Sequence, residues 1–186
     1  GGPTYAIDTN DNNLFSINGA VVTLTNAADF ETPGCGSSSN TCTIVVSATD
    51  LNSQVTQQTI TVTITDVNDQ TPTYTAGDTT PSVAEGSTAV DTAVAITDTD
   101  TGDANVCTLA GSDAALFTCT LTGQTAYSLA FTNAPDFETD ASTDGDGDYD
   151  VTVTINDGAQ DGATITYVVT VTDTNDITPT YTAGDT

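Results

Sequence analysis

The sequence predicts an all-β chain of tandem Ig-like β-sandwiches, and three observations carry the prediction: a strand-favouring composition, period-two alternation and a fixed internal repeat. Among 186 residues there are 42 threonines, only three glutamates, and no lysine or methionine. Threonine is β-branched and suits the outer face of a half-buried strand, whereas the good helix formers are scarce.

Alternation supplies the strands. Ile60, Val62 and Ile64 alternate with Thr59, Thr61, Thr63 and Thr65. Further on, Tyr167, Val169 and Val171 take the inward positions, with Thr166, Thr170 and Thr172 outward. Ile44, Val46 and Ala48 likewise correspond to Val151, Val153 and Ile155. This pattern describes an antiparallel sheet covered on one side. Short strands broken by Gly, Asn and Asp at regular spacing point to a sandwich.

The repeat fixes the unit. Asp29-Phe30-Glu31-Thr32 recurs as Asp136-Phe137-Glu138-Thr139, and Asp66-Val67-Asn68-Asp69 as Asp173-Thr174-Asn175-Asp176. The segment 72–79 recurs unchanged as 179–186, and every pair is offset by 107 residues. A tandem repeat of about Ig-domain size follows. The expected organisation is an incomplete repeat over 1–70 lacking its opening strands, a complete repeat over 71–177, and the start of a further one over 178–186. The missing strands come either from a longer chain or from another copy, the first being favoured.

Charge excludes whole classes of function. The chain has no Lys, Arg or His against 26 acidic residues, a formal net charge of −26. Nucleic-acid binding and direct binding to an anionic membrane both need cations that are absent. Without histidine there is no Ser-His-Asp or Cys-His nucleophile and no His-liganded zinc. The carboxylates either form a solubilising acidic surface or bind a hard, oxygen-seeking cation; their clustering favours Ca2+. The four cysteines fall in local pairs, Cys35 with Cys42 and Cys107 with Cys119. Even, locally spaced cysteines without an activating base read as disulfides, hence an oxidising, extracellular or cell-surface location. No stretch approaches transmembrane length.

The motifs resemble the cadherin repeat family over nearly the whole chain. Asp66-Val67-Asn68-Asp69-Gln70-Thr71-Pro72 matches the linker signature Asp-x-Asn-Asp-x-x-Pro, and Asp-Phe-Glu stands in place of Asp-Arg-Glu. Asp98-Thr99-Asp100 matches Asp-x-Asp, Glu85 the first-strand glutamate, and Asp157-Gly158 the late Asp-Gly. The composition looks bacterial or archaeal rather than animal. The resemblance implies Greek-key sandwiches joined by calcium-binding linkers. It implies one ligand set of Asp29, Glu31, Asp66, Asn68, Asp69, Asp98, Asp100 and Asp157. Asn105 adds a backbone carbonyl, one place away from the usual Gly-x-Asn. A second set is Glu85, Asp136, Glu138, Asp173, Asn175 and Asp176, its remaining ligands lying on a further repeat. Asp50, the counterpart of Asp157, would serve an earlier junction.

Outside those sets, Asp144, Asp146 and Asp148 alternate with glycine like a calcium loop or a solvated acidic turn. Subtracting 107 places this stretch over Cys35 to Cys42, so the first repeat would pin this loop by disulfide and the second by metal. The function implied is a calcium-rigidified, structural or adhesive, non-enzymatic segment. Its partners would be neighbouring repeats, other copies, or surface glycans and proteins. The rivals are a strand-exchanged filament or surface-layer subunit, a calcium-dependent carbohydrate-binding module, and a carboxylate-only glycosidase. The last two are disfavoured: there is no Trp, Tyr5, Tyr74 and Tyr181 read as junction or core residues, and calcium already claims every carboxylate pair.

Overall fold

A computed structural model describes residues 2–181; residues 182–186, part of the further-repeat segment 178–186, lie outside the described residues. The chain divides into two compact units, Gly1–Val67 and Asn68–Thr186.

In the first unit, β1 (Thr4–Asn10), β4 (Thr41–Thr49) and β5 (Val55–Thr63) form an antiparallel sheet in the order β1-β4-β5. A separate hairpin joins β2 (Phe15–Asn18) to β3 (Val21–Leu24). The alternation seen in the sequence sets the register: Thr41 pairs Thr63 and Thr43 pairs Thr61 on the outer face, while Ile44 pairs Ile60 on the inner. The core is small, with Phe15, Cys35, Cys42 and Ile44 buried. Cys35 and Cys42 are disulfide-bonded, closing the loop before β4.

The second unit is a two-sheet sandwich. One sheet runs β10 (Phe117–Thr122), β11 (Ala126–Phe131), β8 (Ala89–Thr97), β6 (Thr73–Tyr74). The other runs β7 (Ser82–Ala84), β13 (Ile165–Thr172), β12 (Asp148–Asn156), β9 (Val106–Ala110). The opening segment changes sheets, since β6 pairs antiparallel with β8 and β7 pairs parallel with β13. Val151, Val153 and Ile155 on β12 and Tyr167 and Val169 on β13 have no exposed surface and meet Tyr127 and Leu129 of β11. The second disulfide, Cys107 to Cys119, links β9 and β10, the edge strands of opposite sheets.

Core tyrosines carry their polar ends to partners, as buried hydroxyls must. Tyr74 is buried; its hydroxyl accepts from Ile155 N at 3.1 Å and donates to Val153 O. Tyr167 donates to Asp91 Oδ2 at 2.9 Å and lies 3.0 Å from the Tyr127 hydroxyl. Burial, then the neighbouring Tyr127 and Asp91, push the Tyr167 phenol far up, so it stays a neutral donor. Tyr5 and Tyr181 are exposed.

Both units use a buried or half-buried aspartate at a 3₁₀ turn to fasten the loop that leads into β4 or β12. Asp113, only 2% exposed, precedes the turn Ala114–Leu116. Its Oδ1 accepts from Thr143 N and Oγ1, both at 2.7 Å, and its Oδ2 from Asp150 N at 2.8 Å and Ser112 Oγ at 3.0 Å. In the first unit, Asp11 opens the turn Asp11–Asn13 and accepts from Gly36 N at 2.8 Å and Thr43 N at 3.4 Å. Gly36 and Thr43 are the counterparts, 107 residues earlier, of Thr143 and Asp150. The acidic loop is therefore pinned by Asp113. Its counterpart in the first unit is pinned by Asp11 together with the Cys35–Cys42 disulfide. Gly111, at φ +109°, lets the chain pass this point, for a Cβ there would meet Asp150 O at 2.7 Å.

Candidate metal centre

Asn and Asp favour turns because their side chains bond backbone N–H groups a residue or two ahead. Four of the candidate ligands, Asp29, Asp98, Asp136 and Asp157, do so. Asp98 Oδ1 accepts from Asp100 N at 3.2 Å, and Asp157 Oδ1 from Ala159 N and Gln160 N at 2.7 and 2.6 Å. Asp29 Oδ1 accepts from Glu31 N and Thr32 N, and Asp136 Oδ1 from Glu138 N. Hence Asp-Phe-Glu has the same local role in both units: the aspartate closes a turn that presents the glutamate. These bonds occupy one oxygen of each aspartate and leave the other.

At one end of the second unit the remaining oxygens collect. Carboxylate oxygens of Asp98, Asp100 and Asp103 lie within 4.8 Å of one another. With Asn105 and Gln124 they line a cleft of about 420 Å³. The linker is bound to the same end: Gln70 N donates to Asp100 Oδ2 at 2.7 Å, and Asn68 Nδ2 to Asp157 O at 3.0 Å. Asp69 Oδ1 accepts from Gln70 Nε2. Burial would push the Asp157 carboxyl up, but the N–H groups of Gln160 and Ala159 outweigh it and hold the group ionised, at 3% exposure.

Five oxygens there are shielded from solvent and accept no hydrogen bond: Asn68 Oδ1, Asp98 Oδ2, Asp100 Oδ1, Asn105 Oδ1 and Asp157 Oδ2. A buried acceptor left without a partner costs about 1–3 kcal/mol, more when charged. No lysine, arginine or histidine exists in the chain to answer them. Hard oxygen donors of this kind, carboxylate and amide together, fit Ca2+, which takes six to eight such ligands.

The opposite end of the second unit gathers a second group. Glu85, 9% exposed, follows β7 and accepts from Phe137 N at 2.9 Å and Thr174 N at 2.5 Å, tying two loops together. Oxygens of Glu85, Glu138 and Asp176 lie within 4.8 Å of one another. Glu138's own backbone N–H favours its charged form. Desolvation and the charges of Glu85, Asp176 and Asp173 prevail, and its carboxyl is held above the usual range. Like charges held this close are what a divalent cation relieves. Asp173 and Asn175 are exposed beside this group.

Other sequence candidates have local roles. In the first unit, Glu31 and Asp66 are half-buried. Asp50 Oδ1 accepts from Asn52 N and Gln54 N at 2.8 Å each, shaping the β4–β5 turn. Asp144, Asp146 and Asp148 do not join a converging group of three carboxylates among the described residues. Asp146 accepts from Asp148 N, and Asp148 from Thr170 Oγ1. Asn105 N donates to Gln124 Oε1 and its Nδ2 to Gln124 O, which fixes the residue at the cleft. Sequence reasoning passed over Asp103; the extra residue in Gly102-Asp103-Ala104-Asn105 was the available signal.

Solved structures share this architecture. A protocadherin gammaB7 structure (EC3-6, a cis-dimer) superposes with a TM-score of 0.71 at 23% identity, covering 95% of this chain and 41% of that one. The fold is that of the cadherin repeat. The human desmocollin-1 ectodomain matches at TM-score 0.67 and 18% identity, over 94% of this chain and 35% of that one. Mouse cadherin-23 EC22-24 matches at TM-score 0.62 and 16% identity, over 92% and 53%. The chain thus spans about half or less of the length of these cadherin structures. No family model and no curated protein matches the sequence. Among the described residues, no helix is long and apolar enough to cross a membrane.

Proposed function

We propose that the chain is a calcium-rigidified, extracellular segment of a structural or adhesive cadherin-like array. The observation that carries this reading is the set of five buried oxygens without hydrogen bonds at one end of the second unit, in a protein with no side-chain cation. Asn68, Asp98, Asp100, Asn105 and Asp157 would hold the ion there, and Glu85, Glu138 and Asp176 a second one. On the cadherin pattern, Asp29, Glu31, Asp66 and Asp69 complete the first ligand set, while Asp136, Asp173 and Asn175 support the second.

Bound calcium supplies charge neutralisation and fixed coordination. Without it, the carboxylates repel one another at close range. With it, the linker Asn68-Asp69-Gln70 is fastened to the end it already contacts through the Asp100 carboxylate and the Asp157 carbonyl. Repeat arrays gain stability from such neighbour terms. The two disulfides suit an oxidising compartment, and the fold it shares with cadherin ectodomains suits self-association with neighbouring repeats or other copies.

Calorimetric titration of the whole chain with CaCl2 tests the reading. Saturable binding of at least two ions per chain is expected in buffer containing physiological salt. Absence of binding at millimolar calcium would overturn it.

A further inference from the structure

We propose that Asp103 is a calcium ligand, adding a third carboxylate to Asp98 and Asp100, and that Asn105 serves the same ion through its side-chain oxygen. The inference rests on the calcium reading above and deepens it.

Asp103 lies in the β8–β9 connection, five residues beyond Asp98. Its carboxylate falls within 4.8 Å of those of Asp98 and Asp100, in a cluster made by a single loop. A cluster of acids on an acidic protein is common, so the cluster alone decides nothing. The independent observation is Asn105, which is only 6% exposed and lines the same cleft. Its NH2 group is committed to Gln124 O at 3.0 Å and its backbone N–H to Gln124 Oε1 at 2.5 Å. With the NH2 engaged, Asn105 Oδ1 is the side-chain atom left, buried and without a donor. Gln124 thus positions the amide. A neutral amide oxygen beside three carboxylates is a donor set for a hard divalent cation.

The charge count of a calcium site sets its affinity. Removing one carboxylate from this loop is therefore expected to weaken one class of site by about tenfold or more, leaving the other class unchanged. The experiment is calorimetric calcium titration of the full chain as wild type, Asp103→Asn and Asp103→Ser. The control is Asp78→Asn, an equal charge change at an exposed turn outside either cluster. Melting curves in EGTA establish that each variant is folded. Weakening of one site in both Asp103 variants, with Asp78→Asn unchanged, is the expected result. Wild-type affinity in the Asp103 variants overturns this inference while leaving the calcium reading intact. A wild-type protein that binds no calcium overturns both, so the two failures are distinguishable.

Discussion

Replacing Asp98 and Asp100 together by asparagine is expected to remove about half of the calcium-dependent stabilisation of the second unit, the share of one of its two sites, while leaving its metal-free stability equal or higher. Asparagine retains an oxygen that can accept from Asp100 N and Gln70 N, the two bonds these side chains make in the fold. What disappears is charge. A site held at a hundredfold its Kd contributes about 2.7 kcal/mol. For a unit of this size that is roughly a 10 °C rise in melting temperature. Differential scanning calorimetry with and without calcium reads both parts. In EGTA the variant is relieved of repulsion among Asp98, Asp100 and Asp103 and is expected to melt no lower than wild type. A variant that keeps the full calcium-dependent rise would show that the ion sits elsewhere. The residual rise expected in the variant belongs to Glu85, Glu138 and Asp176.

The second large effect has nothing to do with calcium. Asp113→Ala strips two backbone donors in part-buried bonds, Thr143 N and Asp150 N, of their buried acceptor and frees the loop between them. A fully buried stranded donor costs about 1–3 kcal/mol and a part-buried one sits at the low end, so for the two together a loss of about 2–4 kcal/mol is expected in denaturant unfolding, equal with and without metal. The same group shapes the acid response. Burial raises the Asp113 carboxyl, but its four hydrogen bonds, from Thr143, Asp150 and Ser112, outweigh that and hold it below the usual range. A depressed folded value means the stabilisation is fully present above the ordinary aspartate range and is lost as pH falls through the folded value. Asp113→Ala is expected to flatten the unfolding-versus-pH profile of the second unit at that acid end. An unaltered profile and wild-type stability would contradict the pinning role.

The contrast between these two aspartate sets shows what was legible in the sequence. The strands were: Ile44, Val151, Val153, Ile155, Tyr167 and Val169 are buried where alternation put them. Both cysteine pairs are bonded as their spacing implied, Cys107 and Cys119 linking edge strands of the two sheets. The turn chemistry of Asp29 and Asp136 followed from one shared motif at one offset. Asp113 was hidden because its counterpart is Asp11, and 113 − 11 is 102, not 107. The segment between that turn and Asp-Phe-Glu differs in length between the repeats, so a fixed offset sets Asp113 against Ala6. Composition could not rescue it, since a buried aspartate with four donors and a solvated one are the same letter. The acidic loop was legible as acidic but not as to how it is held, because its fastening comes from Asp113, outside it in the sequence. Asp103 escaped for a related reason: the motif that should have framed it is displaced by the residue that introduces it.

The central claim is that calcium organises this chain, and thermal unfolding in saturating CaCl2, then after EGTA, then after calcium is restored, tests it most directly. With two sites each contributing about 2.7 kcal/mol at a hundredfold Kd, a fall of 10 °C or more on chelation is expected, as an order of magnitude, and full recovery on restoration. Superimposable curves in all three conditions would contradict the account and leave the carboxylates as an acidic surface.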